Sequence, residues 1–256
     1  VILLLSNDDG IDAPGLGALA KAAAKLGDVW VVAPDSERSA CSHSLTMHRP
    51  LRLQDRGDQW FAVDGTPADC VYLALHQVLP EAPALVISGI NRGANLGDDV
   101  LYSGTVAAAR EGALHHLPAL AVSLSVDSGG AEPHWETAGS LAMEVAAEIL
   151  EQGLPQGVLL NLNVPDVPRG EVKGIVATHM GRRRYHPLAE KRVDPRGRPY
   201  FWIGGTHQKF CETPGSDGLT VRAGYASVTP LQPEMTARST LESLSDWPSI
   251  SRPTGT

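Results

Sequence analysis

Short unbroken hydrophobic runs alternate along the chain with segments whose apolar positions recur at helical spacing, a pattern that predicts a buried sheet wrapped in helices. Residues 1–5 form the first such run, as expected of a strand covered on both faces. Pro14 suits a first helical turn, and Leu16, Leu19, Ala20, Ala23 and Leu26 then share one helical face. Residues 28–34 read as a second buried strand, so the chain opens with a strand-helix-strand unit crossing over right-handed. A hairpin is expected from 51–55 and 59–63, then a helix over 69–79 entered through Thr66 and Pro67. Strands follow at 84–88, 120–124, 158–162 and 172–178. Between them lie a helix from Gly104 to His115 capped by Ser103, and a long amphipathic helix marked by Trp135, Ala138, Leu141, Ala142, Val145 and Ile149. A late strand at 225–231 precedes a helix near 237–247. The fold expected is α/β: a Rossmann-like three-layer α/β/α core with a largely parallel, mixed sheet. Residues 1–178 form that core and 179–256 a hairpin and C-terminal arm for oligomerisation, with strand 225–231 returning to the core or to a partner subunit.

Polar loops leave the carboxyl ends of the strands, the edge where open α/β sheets bind ligands. Asp8 and Asp9 end the first strand, and a loop can aim both carboxylates into one crevice. Such neighbours are tolerated when a cation neutralises them, when one is protonated, or when both are solvated. Oxygen donors without nearby Cys or His suit a hard cation such as Mg²⁺ or Mn²⁺; a helix cap beside a solvated Asp is the simpler alternative. A second loop carries Ser39 and His43, and a third, glycine- and amide-rich, runs from Gly89 to Thr105. At the helix start after Ser103, free backbone N–H groups bind anions. The three loops together offer the inventory for one hard cation and one phosphate, from which phosphate-ester hydrolysis follows. His43, sharing its loop with Ser39, is a candidate proton donor.

Composition narrows the classes. The chain has 256 residues, 43% hydrophobic and 20% charged, with a net charge of −8, which argues against a nucleic-acid or membrane-surface binder. No run is long enough for a membrane span, and the three cysteines show no metal-binding or disulfide spacing, so a cytoplasmic protein is expected. Neither GxGxxG nor GxxxxGK[ST] occurs, nor HExxH or GxSxG. A receiver module also begins with paired acids, but its phosphoacceptor position reads Asn91, and no Lys lies between Lys25 and Lys173. A phosphatase using an Asp-x-Asp nucleophile has different spacing. The basic cluster Arg182-Arg183-Arg184 with Lys191-Arg192 reads as a solvated loop or as a contact for an anionic substrate or partner. The neighbouring Tyr200, Phe201 and Trp202 need cover from water, most simply by another subunit and otherwise by folding back onto their own domain.

Eight motifs then carry a resemblance. Ser-Asn-Asp-Asp-Gly-Ile at 6–11, Ala-Pro-Gly at 13–15, Val-Ala-Pro-Asp at 32–35, Arg-Ser-Ala at 38–40 and Gly-Thr-Pro at 65–67 come in order. Ser-Gly-Ile-Asn-x-Gly-x-Asn-Leu-Gly-Asp-Asp at 88–99, Tyr-Ser-Gly-Thr-Val-Ala-Ala-Ala at 102–109 and Gly-Tyr-x-Ser-Val-Thr-Pro-Leu at 224–231 complete the set. Together they resemble the SurE family of nucleotidases, from residue 3 to about 247. The resemblance implies hydrolysis of nucleoside monophosphates to nucleoside and phosphate, a 5′-nucleotidase with 3′-nucleotidase and exopolyphosphatase activity as further expectations. It implies one divalent cation per subunit on Asp8, Asp9, Ser39 and Asn91, with Asp8 and Asp9 catalytic, and phosphate near Asn95, Ser103, Gly104 and Thr105. It also implies a homodimer or homotetramer with exchanged C-terminal arms, and no nucleic-acid polymer or membrane as partner. Ser216, where the family often has Thr, Ala226, and the 180–200 loop depart from the pattern.

Overall fold

The computed structural model describes the chain except at 127–131, 186–187, 205–206, 211–212, 245, 248 and 251–256; at 183–185, 188, 204, 207–210 and 242 it describes the backbone alone. Strand β1 (Ile2–Ser6) leads into α1 (Pro14–Ala23) and β2 (Asp28–Pro34). A hairpin, β3 (Leu53–Gly57) and β4 (Trp60–Val63), precedes α2 (Pro67–Leu73), then β5 (Leu85–Arg92), α3 (Gly104–Leu114), β6 (Ala119–Ser125) and α4 (Trp135–Gln152). The chain closes with β7 (Leu159–Pro165), β8 (Ile175–Ala177), β9 (Arg183–Tyr185), β10 (Leu188–Val193), β11 (Pro199–Gly204), β12 (His207–Phe210), α5 (Asp217–Arg222), β13 (Ala226–Leu231) and α6 (Arg238–Leu244).

One nine-stranded sheet in the order β3-β4-β2-β1-β5-β6-β7-β13-β8 carries the molecule. The run from β4 to β7 is parallel; β3 pairs antiparallel with β4, and β13 antiparallel with β7 but parallel with β8. Alternation within β1 shows why the sheet needs cover on both faces. Leu3 and Leu5 join the cluster under α1 and α4, whereas Leu4 joins the one under α2 and α3. All three are fully buried, each contributing roughly 2 kcal/mol by leaving water. This is the three-layer α/β fold with a mixed sheet that the pattern predicts.

Several elements differ in extent from expectation. The strand expected at 84–88 continues to Arg92: after an irregularity between Ser88 and Asn91, Asn91 pairs with Ser123 of β6. Glycine and amide residues read as loop, but the parallel ladder resumes beyond them, so Asn91 stands on a strand. Helix α2 ends at Leu73 and gives way to a wider π turn at Ala74–Val78. Its start follows a capping box, in which the Thr66 hydroxyl accepts the Asp69 N–H at 3.1 Å while the Asp69 carboxylate accepts the Thr66 N–H at 2.8 Å. Strand β8 is short and lies at the sheet edge, with Ile175, Val176 and Ala177 exposed.

The sheet draws on both sides of residue 178, since β13 lies between β7 and β8. Away from the sheet, β10 and β11 pair as one antiparallel ribbon and β9 and β12 as another.

Candidate active site

The carboxyl ends of β1, β2 and β5 open into a cleft of about 720 Å³. Its floor is built from the turn after β1. Asn7 folds that turn on itself, donating Nδ2–H to the Gly10 carbonyl at 2.8 Å and accepting the Gly10 N–H at 3.2 Å. Asp8 and Asp9 are thereby held at the cleft, and Ser39 and Asn91 line it with them.

Asp8 is 5% exposed. Its Oδ1 accepts the Thr105 hydroxyl at 2.5 Å, and its carbonyl accepts the Arg38 N–H at 2.8 Å. Helix α3 presses directly on this carboxylate: a Cβ placed on Gly104 would lie 2.7 Å from both Cβ and Oδ2 of Asp8. Only glycine admits that approach. Burial raises the Asp8 carboxyl from 3.8 to about 6, opposed by the Thr105 bond and reinforced by the charge of Asp9. Burial also raises Asp9, although its Oδ2 accepts the Arg92 N–H at 3.1 Å.

The donor set fits a hard divalent cation. Two carboxylates, an amide and a hydroxyl share one cleft, and the raised carboxyl pKa values mark negative charge that a cation would stabilise. Asn91 donates Nδ2–H to the Gly93 carbonyl at 2.8 Å, which leaves its amide oxygen as the available ligand atom. Ser39 donates to Glu37 Oε1 at 2.6 Å, leaving its lone pairs to coordinate. Beside the two carboxylates, the cleft offers the neutral oxygens of Ser39 and Asn91 as donors a cation would need.

The four residues expected around phosphate divide into two pairs. Asn95 and Ser103 line the cleft. Asn95 is caged: its N–H donates to Asn163 Oδ1 at 2.8 Å, its Nδ2–H to Ser123 Oγ at 2.8 Å, and its carbonyl accepts from Asn161 and Asn163. Ser103 caps α3, its Oγ accepting the Val106 N–H at 3.0 Å. Gly104 and Thr105 sit behind Asp8 instead, fully buried in the case of Thr105, whose hydroxyl is spent on that carboxylate. His43 is not among the lining residues; its Nε2 lies 2.6 Å from Glu111 Oε2 on α3.

Glu37, Arg92, Asp99, Tyr102 and Ile203 also line the cleft and were not singled out from the sequence. The first four stand within or beside the loops already recognised, whereas Ile203 arrives from the distant β11. Three buried anchors are not singled out by the sequence either. Asn161 and Asn163 alternate with leucine in a strand that is otherwise apolar, a readable sign of buried amides with a job. Asp217, fully buried, accepts the N–H groups of Gly97 and Gly181 at 2.8 Å each, tying the cleft loop to the start of the arm.

Comparison with known proteins identifies the family. The family model described as "Survival protein SurE" matches residues 3–187. The "5'-nucleotidase SurE" of Geotalea daltonii is 49% identical over 245 residues, covering 96% of this chain and 98% of the relative. That of Geobacter sulfurreducens is likewise 49% identical, covering 96% and 93%. The crystal structure of the SurE protein from Aquifex aeolicus superposes with a TM-score of 0.85 at 39% identity, covering 96% of this chain and 99% of its own. Every loop that brings an oxygen donor to the cleft lies within the matched region, and the chain belongs to the SurE family.

Proposed function

We propose that this chain is a divalent-metal-dependent phosphomonoesterase that hydrolyses nucleoside monophosphates to nucleoside and inorganic phosphate, acting as a 5′-nucleotidase. The observation that carries the reading is the meeting of Asp8, Asp9, Ser39 and Asn91 in one cleft, directly against the start of α3. Relatives named 5'-nucleotidase SurE support the substrate class. The ligands are Asp8, Asp9, Ser39 and Asn91, and the cation, Mg²⁺ or Mn²⁺, would supply Lewis acidity toward the phosphoryl group.

The chain's own residues position the reaction. Thr105 fixes the orientation of Asp8, and Asn95 and Ser103 offer polar contacts to the phosphoryl oxygens where the N-terminal dipole of α3 favours negative charge. A water molecule adds to phosphorus as the P–O ester bond breaks, and the nucleoside oxygen leaves with a proton. A net charge of −8 gives a phosphomonoester no long-range attraction, so the local cation and helix start do that work.

The protein is further read as a symmetric homodimer or homotetramer in which the β10–β11 ribbon meets a second subunit. No described helix is long and apolar enough to cross a membrane. Phosphate release from a panel of 5′- and 3′-nucleotides and a polyphosphate, in EDTA and with Mg²⁺ or Mn²⁺ restored, tests the function. Release from 5′-nucleotides only with metal is expected. Full turnover in EDTA would sink the metal assignment, and no release from any nucleotide would sink the substrate class.

A further inference from the structure

The loop that carries Ser39 is suspended between anchors. At its start the Arg38 N–H donates to the Asp8 carbonyl at 2.8 Å. Beyond it, Ser42 donates its N–H to the Tyr102 carbonyl at 3.1 Å and its hydroxyl to the Leu101 carbonyl at 2.8 Å. Between these points Ser39 and Ala40 are exposed, and Ala40 and Ser42 hold φ of +56° and +54°, a left-handed conformation that residues other than glycine adopt only when the surroundings impose it.

A further restraint comes next in sequence. His43 Nε2 lies 2.6 Å from Glu111 Oε2, and His115 Nε2 lies 3.2 Å from Glu111 Oε1. The Glu111 side chain is 6% exposed and that of His43 18%, so the pair is shielded from water and stronger than a surface contact. His115 is itself braced edge-on against His76, with ring centroids 5.1 Å apart. Glu111 stands on α3, six residues after the Thr105 that grips Asp8, or about 9 Å along one rigid helix. One helix therefore holds two parts of the site: Asp8 through Thr105 and the Ser39 loop through Glu111.

We infer that the His43–Glu111 pair is a latch that positions Ser39 against Asp8 and Asp9, setting metal affinity and turnover together without touching substrate. The latch rests on the function proposed above, and it gives His43 a positioning role in place of the proton-donor role its loop suggests. A proton donor matters most for a poor leaving group such as a nucleoside alkoxide, and little for a phenolate that leaves unaided. A positioning residue matters equally for both.

The test compares wild type with His43→Ala, His43→Gln and Glu111→Gln in three readouts: turnover of a nucleoside 5′-monophosphate, turnover of p-nitrophenyl phosphate, and binding of Mn²⁺ alone followed by thermal shift. Loss of a partner that orients a metal ligand weakens affinity by about 10- to 100-fold, and His43→Ala is expected to do so while lowering both turnovers by similar factors. His43→Gln keeps an N–H toward Glu111 and should recover most of each loss. A deficit confined to the nucleotide, with Mn²⁺ binding intact, would make His43 a proton donor and overturn the latch. So would wild-type values in all three readouts for His43→Ala. Wild-type protein showing neither a Mn²⁺ shift nor turnover would instead overturn the proposed function, and the latch with it.

Discussion

Asp8 is a carboxylate that the fold buries, and burial sets its behaviour with pH. Its carboxyl is raised from 3.8 to about 6, so between those values the folded chain holds a proton that the unfolded chain has released. Stability therefore falls as pH rises through that window, by about 3 kcal/mol for a shift of roughly two pH units. Asp8→Asn removes the penalty while keeping an oxygen to accept from Thr105. In EDTA the variant is expected to melt several degrees above wild type at pH 8, the gap closing by pH 4, and with Mg²⁺ or Mn²⁺ restored its turnover is expected to stay abolished. A gap that stays constant across the calorimetric pH series would refute the burial argument. Asp8 and Asp9 were legible because consecutive acids at a strand end need no knowledge of the fold. The His43–Glu111 contact joins positions 68 residues apart, and no local pattern could announce it. The bond from the Thr105 hydroxyl to Asp8 is hidden for the same reason: the sequence puts Thr105 at a helix start but does not say which neighbour it meets.

At the scale of elements, α3 sets the geometry of the cleft. Ser103 starts it, Gly104 lets it close on Asp8, and Thr105 bonds that carboxylate. Gly104→Ala should favour the helix itself, since alanine is the better helix former. It should nonetheless damage the site, because the added methyl would stand 2.7 Å from Asp8 and push helix and carboxylate apart. Displacement on that scale is expected to lower kcat/KM by about a hundredfold with unchanged helical circular dichroism; near-normal turnover would mean the contact relaxes freely. The helix and its cap were legible because the capping residue and the apolar positions fall in one short window. Strand β5 was not legible to its end: Gly89 to Arg92 lacks the apolar run that marks a strand, and its pairing with β6 is a tertiary effect.

At the scale of the molecule, the β10–β11 ribbon presents apolar surface that its own chain leaves open. Phe201 and Trp202 are each 60% exposed and Ile203 is 94% exposed. Alternation along β11 puts Phe201 and Ile203 on one face and Tyr200 and Trp202 on the other. Ile203 lines the cleft of its own chain, so Trp202 marks the face turned from the site. A patch of this kind is stable in water when a second subunit covers it, and a symmetric pair would make the contact self-complementary. Cutting the chain after β8 is no test, because β13 lies inside the sheet between β7 and β8 and would be lost with the arm. Trp202→Asp changes the ribbon alone. Light scattering at micromolar concentration is expected to give a dimer or tetramer for the intact chain and a smaller species for the variant, because a carboxylate buried at an interface without a partner is strongly unfavourable. If assembly also steadies Ile203 at the mouth of the cleft, turnover falls with the mass, most steeply on dilution. An intact chain that scatters as a monomer rejects the assembly, whereas an assembled Trp202→Asp variant places the interface on another face.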